Sequence, residues 1–242
     1  MKTMYNKTYF QGNSVHCGSD LIRKYDTHWW SFRFYSLLVK KYLKNGTVLD
    51  LGCAHGYIHY FLDPTKYKKV GVDISEYAIS EARLNNPEGV YYISDVEKLV
   101  DIKDESIDLV ISKYVLEHLS HPEMAIREVY RVLKKNGTLI FSVPNTTSKL
   151  RKNKGKNWIG DRDKTHLSVF SPTKWNELMN TNGFKNIKSF SDGFWDVPYI
   201  KIIPNFIQLI IFSLPSIIQT FLGLQIIPVK LGENLIVVSK KL

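Results

Sequence analysis

Short apolar runs alternate with amphipathic stretches along the first two-thirds of the chain. TVLDLG (47–52), KVGVD (69–73), GVYYISD (89–95), SIDLVIS (106–112) and TLIFSVP (138–144) each read as a strand. The unbroken apolar character of SIDLVIS predicts burial on both faces of a sheet. Helices are predicted between the strands. ISEYAISEARL (74–84) has Ser75 as a cap, and Pro122–Leu133 has proline in its first turn. Upstream, residues 28–44 place Trp30, Phe34, Leu37, Leu38 and Tyr42 near helical spacing, and Asn45-Gly46 stops that helix. Lys135-Asn136-Gly137 reads as a turn. Alternation of this kind predicts an α/β fold with a doubly wound parallel sheet.

The ends of the chain are different in character. The stretch to Asp26 is polar and turn-rich, with Gly12, Asn13, Gly18 and Ser19. Residues 149–164 form a basic loop carrying Lys149, Arg151, Lys152, Lys154, Lys156, Arg162 and Lys164. A helix over 171–184 ends at Asn182-Gly183, where a left-handed cap fits. Strands follow at 184–190 and 234–240. Between them, residues 202–229 hold no formal charge. The run is long enough to cross a membrane once. Its flanking strands, however, are expected to be sheet neighbours, and a return crossing would need about 40 apolar residues. Pro204, Pro215 and Pro228 interrupt the run, so two short helices are predicted near 204–213 and 215–223. They would form an interfacial membrane hairpin, the wall of an apolar pocket, or a subdomain that packs on the core or makes a homodimer. The whole reads as one domain, 1–242: a helix at 28–44, a core at 45–145, and a second half at 146–242 with an apolar insertion at 192–232.

Composition narrows the picture in two places. The two cysteines, Cys17 and Cys53, exclude a disulfide framework and a four-cysteine zinc site. With no apolar signal region at the start, a cytoplasmic setting is expected, membrane-associated if the insertion touches lipid. The net charge of +10 suits an anionic partner, whether nucleic acid, membrane surface or phosphorylated substrate, and equally serves solubility alone.

The densest chemical signal is VLDLGCAHGYI (48–58). Asp50 stands near the strand end, followed by Gly52, Ala54 and Gly56, small residues that let a ligand approach the backbone. A carboxylate there disfavours a diphosphate and favours a cationic ligand. Asp73 ends the second strand, where an acidic side chain can accept from both ribose hydroxyls. Asp95 follows the third strand, where it could accept from an adenine amino group while Val96 packs on the ring. Neither G-x-G-x-x-G nor a phosphate-loop motif is present.

In this order, VLDLGCAHG, VGVDIS, YYISDVEKL, IDLVISKYVLEHLSHPE and REVYRVLKKNGTLIFSVPN resemble class I S-adenosylmethionine (SAM)-dependent methyltransferases. The resemblance is to the group that includes quinone-biosynthesis and small-molecule O-methyltransferases. It implies a Rossmann-like seven-stranded sheet with an antiparallel last strand, here with an apolar helical insertion before it, and SAM as cofactor. Asp50, Gly52, Ala54 and Gly56 would line the methionine side. Asp73 with Ile74 would hold the ribose, and Asp95 with Val96 the adenine. Ser112 and Lys113 would lie near the methionine moiety. His55 departs from the small residue usual at its position, and would crowd the loop or face solvent.

Two histidines are the candidate catalytic groups. His118, in VLEHLSHPE, follows the fourth strand, and His166 lies in DRDKTHLSVFSP. Either could serve as base or orient the acceptor. Glu117 reads as a hydrogen-bonding helix residue. No His or Cys cluster has metal-ligand spacing along the sequence, so no metal is expected. The segment ISKY replaces the N/D-P-P-Y/F motif of amino-methylating nucleic-acid enzymes, and neither cysteine follows a proline as in cytosine-C5 enzymes. Two cysteines are too few for arsenite methylation. The acceptor expected is therefore an oxygen on a small molecule, lipid-linked compound or glycan, with an anionic group for the basic loop. The alternative is a non-catalytic protein of the same fold that binds an anionic partner or a membrane surface.

Overall fold

The computed structural model describes residues 5–10, 27–154, 158–194 and 197–242. The polar, turn-rich signals at Gly12, Asn13, Gly18 and Ser19, and Lys156 of the basic loop, lie outside them.

Seven strands form one sheet: β1 (Gly46–Leu51), β2 (Tyr67–Asp73), β3 (Val90–Ile93), β4 (Ile107–Lys113), β5 (Leu133–Pro144), β6 (Phe184–Phe190) and β7 (Asn234–Lys241). Their order is β3-β2-β1-β4-β5-β7-β6. β3, β2, β1, β4 and β5 pair in parallel, and β7 runs antiparallel to β5 and β6 on either side of it. This is the Rossmann-like, doubly wound sheet with an antiparallel last strand that the sequence predicts.

The helices are α1 (Lys7–Phe10), α2 (Thr27–Tyr42), α3 (Tyr57–Tyr60), α4 (Glu76–Asn85), α5 (Pro122–Val132), α6 (Arg151–Lys154), α7 (Ile159–Arg162), α8 (Pro172–Thr181) and α9 (Asn205–Leu222), with a 3-10 turn at Leu116–His118. Strand alternation sorts the core into two layers. Leu49, Leu51, Val110, Leu139, Phe141 and Val143 face α5 and α8, against Ile126, Val129, Trp175 and Met179. Val48, Leu109, Ile111 and Ile140 face the other way, against Phe34, Leu38 and Val39 of α2. β4 is thus covered on both faces, as its apolar run predicts.

Three segments differ from the sequence reading. The expected turn at Lys135-Asn136-Gly137 lies inside β5. The irregular register beside Ile107/Leu109, with Asn136 at φ 62°, absorbs it as a bulge. The basic stretch 149–164 contains the short helices α6 and α7 rather than only loop. Finally, the apolar insertion holds one helix, α9, and not two. It runs through Pro215, which removes one backbone hydrogen bond. Side chains tie the helix down on both sides of that proline. Gln208 Oε1 accepts from Tyr199 N and Ile200 N at 2.7 and 2.9 Å, and its Nε2 donates to Ile200 O and Ile203 O at 2.8 and 2.6 Å. Gln219 Nε2 donates to Ser191 O at 2.7 Å and its Oε1 accepts from Ile226 N and Ile227 N at 2.9 and 3.0 Å. Ser216 Oγ accepts from Phe194 N at 2.8 Å. With neighbouring backbone held at each end, the helix survives its proline.

Candidate active site

The carboxyl ends of β1, β2 and β4 and the segment after β3 surround one cleft. Its lining includes Asp50, Gly52, Ala54, Asp73, Ile74, Asp95, Val96, Lys113 and His118. The turn after β1 is shaped by three positive φ angles, at Gly52 (74°), Ala54 (44°) and Gly56 (73°). A Cβ on Gly52 would lie 2.3 Å from Val115 Cγ2, so only glycine fits where the chains leave β1 and β4 side by side. Asp73 fastens this turn. Its Oδ2 accepts from Ala54 N and its Oδ1 from Ser75 N, each at 2.9 Å. Ser75 in turn caps α4 through Ala78 N at 3.2 Å, as its sequence position predicts. Asp95 is exposed at the rim, and Val96 is buried beneath it.

Two residues expected at the cofactor do not line the cleft. Gly56 starts α3 and sits behind the turn, where Asn86 Nδ2 donates to its carbonyl at 3.0 Å. Ser112 is fully buried, one residue before Lys113 and hence on the opposite face of the strand. His55 neither crowds the loop nor faces solvent. It is buried, with Nδ1 3.2 Å from Tyr57 Oη and its ring against Phe10 and Tyr77.

The electrostatics are those of a site awaiting positive charge. Burial raises the Asp50 carboxyl to about 8, with the Asp73 carboxylate adding to the rise and the Lys113 ammonium opposing it. Asp73 is also raised by burial, although backbone donors at Ser75 and Ala54 pull it down. Lys113 Nζ lies 4.6 and 4.5 Å from the ring centres of Phe32 and Tyr114.

Sequence reasoning missed the aromatic wall. Tyr5, Tyr9, Phe10, Phe32 and Tyr114 all line the cleft. The i, i+4 spacing of Tyr5 and Tyr9 was the available signal, hidden in a polar stretch. Tyr114, at φ 56°, donates to Asp192 Oδ2 at 2.5 Å, and Asn234 Nδ2 donates to the same carboxylate.

The fold brings both candidate histidines together. Leu167 N and Ser168 N both donate to Glu117 O at 2.8 Å, which zips the D-x-T-H segment onto the 3-10 turn. The rings of His118 and His166 then lie 4.8 Å apart, centre to centre. Thr165 Oγ1 donates its single hydrogen to Asp163 Oδ1 at 2.7 Å and lies 2.9 Å from His118 Nδ1. His118 Nδ1 must therefore be the donor to that hydroxyl. His166 Nδ1 lies 3.0 Å from the Gly160 carbonyl, so it too must donate. In their neutral forms both rings thus carry the lone pair on Nε2. Glu117 lies in the 3-10 turn, as the helix reading expects, but without the side-chain hydrogen bonds also expected of it. It is buried, neither carboxylate oxygen has a hydrogen-bond partner, and desolvation raises it to about 8.

A methyltransferase-domain family matches residues 23–189. The chain belongs to the class I SAM-dependent methyltransferases. An uncharacterized protein of Methanocaldococcus jannaschii is 29% identical to this methyltransferase over 155 residues, 62% of this chain and 70% of that one. A ubiquinone biosynthesis O-methyltransferase of Hahella chejuensis is 35% identical over 106 residues, 42% of this chain. The match spans only 44% of that relative's length. Among solved structures, a SAM-dependent methyltransferase of Thermotoga maritima superposes with a TM-score of 0.60 at 23% identity, covering 89% of this chain and 92% of its own. That likeness is one of fold.

Proposed function

We propose that this methyltransferase methylates an oxygen on a lipid-linked, anionic acceptor that it meets at a membrane surface. The observation that carries this reading is the inverted polarity of α9. The residues it buries are Gln208, Ser216, Gln219 and Thr220. Those it exposes include Phe206, Ile210, Ile211, Leu214, Ile217, Phe221 and Leu222. An apolar face of this extent is not left open to water without a partner. At 18 residues α9 is about 27 Å long, near the length needed to span a bilayer. Its polar clamps, however, hold it lengthwise against the domain, which suits a helix lying in the interface. Exposed Lys201 and Lys230 flank it, and exposed Lys149 lies beside Lys230, its amide donating to that residue's carbonyl. Cations around an apolar face suit anionic lipid.

The helix is linked to the cleft. Gln219 donates to the Asp192 carbonyl at 3.1 Å, and Asp192 receives the Tyr114 hydroxyl at the cleft wall. The name of the Hahella relative, which places it in ubiquinone biosynthesis, supports an apolar acceptor and an oxygen as its methylated atom.

The donor side fits SAM. Gly52 lines the cleft in a left-handed turn, and Asp50, Asp73 and Asp95 bring three carboxyl groups to it, with Lys113 the one ammonium group among the described lining residues. SAM supplies an electrophilic methyl group on a sulfonium. Asp73 would take the ribose, Asp95 and Val96 the adenine, and Asp50 with the Gly52–Ala54 turn the methionine end. The acceptor would enter on the side of His118. Positioning and exclusion of water by the aromatic wall would then account for much of the rate.

The test is flotation with vesicles, run beside calorimetric titration with S-adenosylhomocysteine. Association with anionic vesicles and binding of the nucleoside are both expected. Failure to float with any vesicle would sink the membrane reading, and absence of nucleoside binding would sink the donor site.

A further inference from the structure

We propose that Glu117, His118 and His166 form a binding site for one divalent first-row transition-metal ion at the acceptor side of the cleft. One donor atom from each of the three lies within 4.8 Å of the others. A cation placed among them would draw the three side chains inward by small rotations to reach ordinary ligand distances, about 2.0 to 2.2 Å.

The surroundings orient the donors as a metal site does. Both imidazoles commit Nδ1–H to oxygens of the 160–165 segment, at the Gly160 carbonyl and the Thr165 hydroxyl. Nε2 is therefore the ligand atom that each ring offers. A ligating histidine with its other nitrogen bonded to a carbonyl or hydroxyl is the usual outer-shell arrangement. The third donor supplies an independent sign. Glu117 is 1% exposed and neither of its oxygens is hydrogen-bonded. A buried carboxylate is costly unless paired with charge, and here a cation would pair with it. Asp163 adds to the negative potential, with Oδ2 3.4 Å from His166 Nε2.

The donor set selects the kind of ion. Two imidazoles and one carboxylate suit zinc, iron, cobalt or manganese, whereas calcium and magnesium prefer all-oxygen shells. Three protein ligands leave further positions open, as at catalytic rather than structural sites. His118 lines the cleft, so an open position there would face the acceptor. An acceptor oxygen bound at it would be held in place and made more acidic. This use rests on the cleft being the methyl-transfer site, but the ion site itself requires neither a membrane nor a lipid-linked acceptor.

The experiment treats the full chain with a chelator, then titrates it with Co2+ and Zn2+. Calorimetry gives the stoichiometry, and the visible ligand-field spectrum of Co2+ reports nitrogen and oxygen ligation. One equivalent is expected. Glu117→Gln and His166→Ala should each weaken the ion by about 10-fold or more, and Thr165→Val by less. S-adenosylhomocysteine titration of the same variants checks that each is folded. Wild-type protein that takes up no stoichiometric ion would overturn the proposal. So would folded Glu117→Gln and His166→Ala variants that bind the ion as tightly as wild type. Neither result bears on vesicle flotation, so the two readings fail separately.

Discussion

α5 and α9 solve the same problem in opposite ways. α5 buries Ala125, Ile126, Val129 and Val132 against the sheet and turns its charged residues outward. α9 buries Gln208, Ser216, Gln219 and Thr220 and turns isoleucines, leucines and phenylalanines outward. The first docks by removing apolar surface from water. The second docks by saturating backbone groups of the loops around it, chiefly through two glutamines. Side-chain polarity alone therefore does not say which face of a helix is inside. In α9 it is the hydrogen bonds of Gln208 and Gln219 that say so. Three contrasts would break or sharpen this view.

The largest effect is expected from a carboxylate placed on each helix. Ile126→Glu puts an unpaired charge among fully buried residues and should cost more than about 4 kcal/mol, enough to abolish cooperative folding. Ile217→Glu, at a position 52% exposed, should change stability by about 0.5 kcal/mol or less while weakening vesicle association. Urea denaturation compares the two. Comparable losses would mean that the outer face of α9 is packed against protein after all.

Next comes the inner face. Gln219→Leu is nearly the same size and more apolar, so a helix held by hydrophobic burial would tolerate it. Here it strips partners from Ser191 O, Ile226 N and Ile227 N. A loss of about 3 kcal/mol is expected, since each stranded buried group costs about 1 to 3 kcal/mol. A neutral result in the same denaturation assay would count against the clamp.

These two helices also show what the sequence made legible. α5 was readable because its apolar stripe has the helical period and proline marks its start. β4 was readable from an unbroken apolar run, which its burial on both faces explains. In α9 the polar face of Gln208, Ser216, Gln219 and Thr220 was overshadowed by the uncharged apolar run around it, and Pro215 suggested a break. Only the tertiary partners of Gln208 and Gln219 explain its continuity. At the cleft, the acidic strand tips were legible because each ends a strand. The meeting of His118 with His166 was not, because backbone bonds from Leu167 and Ser168 to Glu117 create it across a long loop. Glu117 reads as a hydrogen-bonding helix residue for a related reason: that its carboxylate is buried without a donor shows only once Leu167 and Ser168 dock on its backbone.

The smallest effect contrasts the two sides in charge rather than polarity, and lies at Asp50. Its carboxyl titrates at about 8 in the fold, against 3.8 when unperturbed, because burial and the Asp73 carboxylate oppose ionisation. Between those values the folded chain binds a proton that the unfolded chain has released. This contribution to stability is fully present below pH 3.8 and is lost as pH rises through 8. Asp50→Asn should therefore melt higher than wild type at pH 9, with the gap closing as pH falls toward 4. A cationic methyl donor reverses the balance, because positive charge nearby favours the carboxylate. Binding of SAM at pH 7 should then release a proton from wild type and not from Asp50→Asn. Calorimetry in two buffers of different ionisation enthalpy reads that proton directly. Equal heats in both buffers for wild type would mean that the charge of the donor is met elsewhere, with Asp73 the remaining carboxylate at the turn.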